Sequence, residues 1–192
     1  MYAPSDSTGG GWLLSAAIMI ALAMLFDGLD GSLARAKGEV TRWGDYLDHT
    51  IDRVLDGVWV VCISASVFVG DMTLGFAAAF LTLLGSYMGT QAQAVAGARN
   101  YRGFSRADRT VLTLLSLVVM GVMVLAGWSI DATYPGWFDH IEVNPLSLIV
   151  FISGLGGLWT FIVRFLQAKG EIQALDASDP LPQPGLESEQ DS

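Results

Sequence analysis

The chain has 192 residues, 52% of them apolar and only 15% charged, with a formal charge of −9 and a mean hydropathy of +0.48. Such a balance lies outside the usual range for a soluble domain of this size. So acidic a chain is also a poor partner for nucleic acid, and a lone cysteine, Cys62, excludes a disulfide framework or a thiolate metal site.

The apolar residues fall into five blocks at 12–26, 54–70, 74–97, 111–128 and 146–165. They are too long and too evenly apolar for strands, so the expected fold is all-α, a polytopic membrane helix bundle of five spans. The segment before residue 12 has no positive charge and carries Asp6, so the first block is read as a span rather than a cleaved signal. All ten basic residues lie in three stretches: Arg35, Lys37, Arg42 and Arg53; Arg99, Arg102, Arg106 and Arg109; Arg164 and Lys169. Five spans put all three on one side, which the positive-inside rule makes the cytoplasm. Residues 1–170 are expected to form the membrane domain. Residues 171–192, with six acids among Pro, Ser and Gly, are expected to form a disordered cytoplasmic tail.

The first block rises only ~22 Å as helix against a hydrocarbon core of ~30 Å, so the helix must continue past Phe26. Asp27 and Asp30 then stand at or just inside the cytoplasmic interface, where charged groups are costly and functional. The next helix opens with Asp45, Asp48, Asp52 and Asp56, whose spacings of three and four share one face. If the two helices are neighbours, Asp27, Asp30, Asp48 and Asp52 converge, and a divalent cation relieves their repulsion. Oxygen ligands favour Mg²⁺ or Mn²⁺ over zinc. Asp45 and Asp56 are read as solvated or as standing behind the ligands, His49 as packing on another helical face, and His140 as an outer-loop residue without a role.

From Asp27 the chain spells D-x-x-D-G-x-x-A-R-x8-G-x-x-x-D-x-x-x-D without a gap, through Asp27, Asp30, Gly31, Ala34, Arg35, Gly44, Asp48 and Asp52. The spelling resembles the signature of the CDP-alcohol phosphotransferase family. The resemblance implies two Mg²⁺ or Mn²⁺ ions on Asp27, Asp30, Asp48 and Asp52, with Asp52 as the base toward the acceptor hydroxyl. It implies CDP-lipid contacts at Gly31, Ala34, Arg35, Thr41 and Gly44. A glycine lets a phosphate approach the backbone and an arginine offers it a planar fork. It further implies transfer of a substituted phosphate from CDP-diacylglycerol or CDP-archaeol to a small polar alcohol, with release of CMP, by a homodimer in the plasma membrane.

Downstream, Ser86-Tyr87 and the R-x-x-R pair Arg106/Arg109 resemble the phosphatidylinositol-phosphate or archaetidylinositol-phosphate synthase-like branch of the family. That branch binds the acceptor's phosphate with such residues. Ser86, Arg106, Arg109 and Arg164 are the implied acceptor-phosphate set, so inositol phosphate or glycerol phosphate is the expected kind of acceptor. Where that branch often has a basic residue three positions after the serine, this chain has Gly89. Topology alone also demands arginines in this loop. Two other readings of membrane-embedded carboxylates stay open, a divalent-cation transporter and an Asp-rich-motif prenyltransferase. Family members usually have six helices, so the helix before residue 12 is expected to be missing here, the natural gene beginning upstream of Met1 or the chain being a fragment.

Overall fold

A computed structural model describes residues 7–38, 41–97 and 102–180, except for the side chains of Ser7, Ala34 and Arg35. Its order is α1 (Ser7–Lys37), α2 (Arg42–Ser64), α3 (Met72–Ala96), α4 (Arg106–Ala126), a 3₁₀ turn (Gly136–Phe138) and α5 (Pro145–Ser178). The expected all-α bundle is therefore what the chain forms.

The helix ends are written locally. Thr41 and Asp71 cap α2 and α3 by accepting hydrogen bonds from the amides of Gly44 and Leu74. The spellings S-R-A-D and N-P-L-S open α4 and α5 with capping boxes at Ser105/Asp108 and Asn144/Ser147. Gly97 and Gly127 close α3 and α4 in the left-handed conformation (φ 74° and 66°).

Among the described residues, four helices are long and apolar enough to cross a membrane: Thr8–Leu33, Met72–Ala96, Arg106–Ala126 and Pro145–Ser178. The expected second span at 54–70 needs correction. Its helix begins at Arg42 and stops at Ser64, so Asp45, Asp48, Asp52 and Asp56 occupy most of its length and only the stretch after Asp56 is free of charge. The expected disordered tail also begins too early at 171, because α5 runs through Gly170 to Ser178. The sequence there, E-I-Q-A-L-D-A, is rich in helix formers, and Gln167 donates a 2.6 Å hydrogen bond to Glu171 one turn on. Residues 181–192 lie outside the described part.

Small residues decide which helices meet. α1 packs on α4 and α3 on α5 and α2. A Cβ added at Gly157 would sit 2.6 Å from the backbone of Leu81 and Thr82, and one at Gly85 would sit 2.7 Å from the Gly157 carbonyl. α3 and α5 therefore touch backbone to backbone, as small residues allow in a bilayer. Gly10 and Gly121 do the same for α1 and α4. Large apolar side chains such as Ile18, Phe76, Phe80, Leu155 and Trp159 point outward, as a lipid-facing surface requires. At one end residues 129–144 fold back over the helix ends through buried Ile141 and Leu146. At the other end α1, α3 and α5 finish while α2 and α4 begin, and there the charged residues gather.

Candidate active site

The acidic stripe of α2 runs from water into the bundle. Asp45 and Asp48 are exposed, whereas Asp52 is 8% and Asp56 4% exposed. One ligand atom each from Asp48, His49 and Asp52 lie within 4.8 Å of one another. Two carboxylates and an imidazole at that separation fit a divalent cation. His49 thus belongs to the stripe it was expected to face away from, 3.7 Å from Asp45 and 3.9 Å from Asp48. The signal was present in the sequence: His49 follows Asp45 by four residues and precedes Asp52 by three.

α1 packs on α4, and Asp27 approaches the stripe across Arg106, its charge acting on Asp52 together with that of Asp48. The Arg106 guanidinium lies 2.7 Å from Asp52 Oδ1 and 3.8 Å from Asp27 Oδ2. Asp30 is exposed on α1, outside the Asp48–His49–Asp52 group. Gly31 is half-buried in the next turn. The side chains of Ala34 and Arg35 lie outside the described residues. Thr41 and Gly44 are joined to each other, Thr41 Oγ1 accepting the Gly44 amide at 3.0 Å, so the hydroxyl there starts α2.

The expected acceptor residues do come together. A cavity of about 540 Å³ is lined by Ser86 of α3, Arg106 and Arg109 of α4, Arg164 of α5 and Asp52 of α2. Local packing aims these groups. Thr160 Oγ1 accepts the Phe104 amide at 2.8 Å, so α5 fixes the loop that leads into α4. Gly103 turns there at φ 105°, against Thr160, where a Cβ would stand 2.7 Å from Thr160 Oγ1. The Ser105–Asp108 capping box then starts α4 on Arg106. Arg164 is held by two backbone oxygens, Nε to Arg102 O at 2.8 Å and Nη1 to Gly85 O at 3.0 Å.

Asp56, expected to be solvated or to stand behind the ligands, is a buried hub. It accepts Arg109 Nη2 at 2.6 Å, with Arg53 Nη1 at 3.4 Å and Arg106 Nε at 3.6 Å. Arg53 Nη1 also donates to Ser86 Oγ. The site can therefore bind anionic oxygen through fixed guanidinium forks and accept a proton on Asp52 beside them. A second cavity, of about 380 Å³ and nearly wholly apolar, separates α1 from α2 between Leu13, Ile20, Trp59, Cys62 and Leu117.

A family model described as CDP-alcohol phosphatidyltransferase matches residues 5–143. Over 130 residues the chain is 30% identical to the archaetidylinositol phosphate synthase of Methanothermobacter thermautotrophicus, covering 68% of this chain and 65% of the relative. It is 45% identical over 74 residues to the enzyme of the same name from Pyrococcus horikoshii, covering 38% and 36%. It is 26% identical over 165 residues to the phosphatidylinositol phosphate synthase of Cutibacterium acnes, covering 83% and 74%. The match therefore spans less than two thirds of the first two relatives' own length. No solved structure matches the chain.

Proposed function

The chain belongs to the CDP-alcohol phosphatidyltransferase family, and on that premise we propose that it makes phospholipids. It moves a substituted phosphate from a CDP-activated lipid, CDP-diacylglycerol or CDP-archaeol, to a small polar alcohol that carries its own phosphate, and releases CMP. Inositol phosphate and glycerol phosphate are the acceptors of choice. The carrying observation is the single cavity whose walls hold both Asp52 and the guanidiniums of Arg106, Arg109 and Arg164. The names of the two archaeal relatives and the bacterial one support a phosphorylated inositol.

In this reading Ser86, Arg106, Arg109 and Arg164 grip the acceptor's phosphate through charge-assisted hydrogen bonds. Its hydroxyl oxygen is thereby held for in-line attack on the lipid-linked phosphorus. Asp52 takes the hydroxyl proton as the new P–O bond forms and the bond to CMP breaks. Asp48, Asp52, Asp27 and Asp30 are the proposed holders of two Mg²⁺ or Mn²⁺ ions, with His49 beside them. When bound, the ions neutralise the diphosphate and the departing CMP. Gly31, Ala34, Arg35, Thr41 and Gly44 are the proposed CDP-lipid contacts, and the apolar cavity between α1 and α2 suits a hydrocarbon chain of the same lipid. The basic end of the bundle faces the cytoplasm by the positive-inside rule, in the plasma membrane, and a homodimer is the proposed assembly.

The test is CMP release by the protein in vesicles with CDP-lipid and inositol phosphate, glycerol phosphate, serine or inositol. Acceptor-dependent CMP release, greatest with a phosphorylated alcohol, is expected. Cation flux through the vesicle wall without CMP release would replace this reading with transport.

A further inference from the structure

We propose that Arg53 is an additional cation for the acceptor's phosphate and that Asp56 is the positioning residue that holds Arg53 and Arg109 at the cavity wall. The proposal rests on transfer to a phosphorylated alcohol and adds two residues to that site.

The sharing of donors points to an anion here. Asp56 receives Arg109 at 2.6 Å and Arg53 at 3.4 Å, while Arg106 has Asp52 at 2.7 Å. One carboxylate thus stands between two guanidiniums, with a side chain only 3% exposed. Arg53 and Arg109 therefore share one acceptor and have N–H donors left for a further oxygen. Arg106 Nε, also directed at Asp56, is buried without a hydrogen-bond partner. An anion drawn into the cavity accepts such donors, and a phosphate supplies enough oxygens for several forks.

Geometry assigns Arg53 to the cavity. Its side chain lines the cavity, and its Nη1 donates to Ser86 Oγ. Gly89 stands where a basic side chain after the serine would have come from α3. Arg53 reaches the same wall from α2, so the missing charge comes from a neighbouring helix. Asp56 is one turn further along α2 and touches no cavity space of its own, so its effect is exerted through the arginines.

The experiment is steady-state CMP release by the full chain in vesicles, varying acceptor and CDP-lipid separately, with inorganic phosphate as a competitor. Arg53→Gln should raise the acceptor KM by roughly ten- to a hundredfold, as loss of a charge-assisted contact does, and leave the CDP-lipid KM within about twofold. Inhibition by inorganic phosphate should weaken by the same factor. Arg53→Lys should recover part of both. Asp56→Asn should show the same split, with recovery in Asp56→Glu. An unchanged acceptor KM and phosphate inhibition in folded Arg53→Gln would overturn the proposal and leave the phosphorylated acceptor standing. So would loss of folding in Asp56→Asn combined with a normal Arg53→Gln, which would make Asp56 a purely structural pair. A wild-type protein that prefers unphosphorylated alcohols and ignores inorganic phosphate would instead overturn the acceptor reading itself, and the inference with it.

Discussion

Arg106 and Asp52, on different helices, share a 2.7 Å ion pair, and the same guanidinium lies 3.8 Å from Asp27. A carboxylate oxygen of Asp52 is also within the group of atoms able to hold a divalent cation. The guanidinium and such a cation therefore compete for one carboxylate, and the strength of that pair sets how readily the ion enters.

Removing the competitor separates the two roles of Arg106. In Arg106→Ala the Mg²⁺ concentration giving half-maximal CMP release should fall several-fold, while the acceptor KM rises by roughly tenfold or more. Titrations of Mg²⁺ and acceptor against CMP release measure both. A higher Mg²⁺ requirement in the variant would show that Arg106 supports the metal site instead of competing with it.

Asp52 itself should be indispensable for turnover. Asp52→Asn keeps the shape and a hydrogen bond to Arg106 but removes the proton acceptor, so kcat should fall by roughly a hundredfold or more. Binding of CDP-lipid, read as protection against thermal unfolding, should largely persist. Turnover within a few-fold of wild type would remove Asp52 from the role of base.

Much of this site was legible in the sequence because helical spacing maps directly onto a face. Asp45, Asp48, Asp52 and Asp56 stand on one stripe of α2, as their spacing requires. Ser86, Arg106, Arg109 and Arg164, far apart in the chain, share one cavity as the motif resemblance implied. The pairing of helices was not legible. Gly10 with Gly121, and Gly85 with Gly157, bring helices into contact, but small residues announce only that some close approach exists, not with which partner. From that one gap came the expectation that α1 lies beside α2, whereas it packs on α4. The burial of Asp56 was missed for a related reason, since its partners Arg106 and Arg109 come from α4, about fifty residues downstream. The length of α5 was missed because the acids after Gly170 were weighed above the helix formers between them.

The α3–α5 contact gives a stability test within a single helix. Gly157→Ala forces a Cβ to within 2.6 Å of the backbone of Leu81 and Thr82, which cannot retreat without parting the helices. It should destabilise the protein by about 1–3 kcal/mol and widen the cavity that Gly157 helps to line. Gly170→Ala, on the same helix with nothing within 4 Å of the new methyl, should instead be neutral or stabilising by up to about 1 kcal/mol. Thermal unfolding in detergent compares the two. Equal effects would mean that α3 and α5 do not touch through Gly157.

At the opposite end of the bundle, Asp71 should confer an acid-sensitive share of stability. Its carboxylate accepts the Leu74 amide at 2.9 Å as the cap of α3, and His140 Nε2 stands 3.1 Å away in the loop over the helix ends. The Leu74 hydrogen bond first, and then the contact with His140, hold the Asp71 carboxyl below the usual carboxylate range. A carboxyl depressed in the folded state contributes stability that is fully present well above the ordinary value of about 3.9. That share is lost as the pH falls through the ordinary value toward the depressed one, because the unfolded chain binds the proton first. Asp71→Asn keeps a capping oxygen but cannot titrate, so its thermal stability should fall less steeply than that of the wild type over this acidic window. Asp71→Ala removes the cap as well and should cost about 0.5–2 kcal/mol at neutral pH. Parallel loss of stability in the wild type and Asp71→Asn as the pH falls below about 4 would assign the acid sensitivity to other carboxylates.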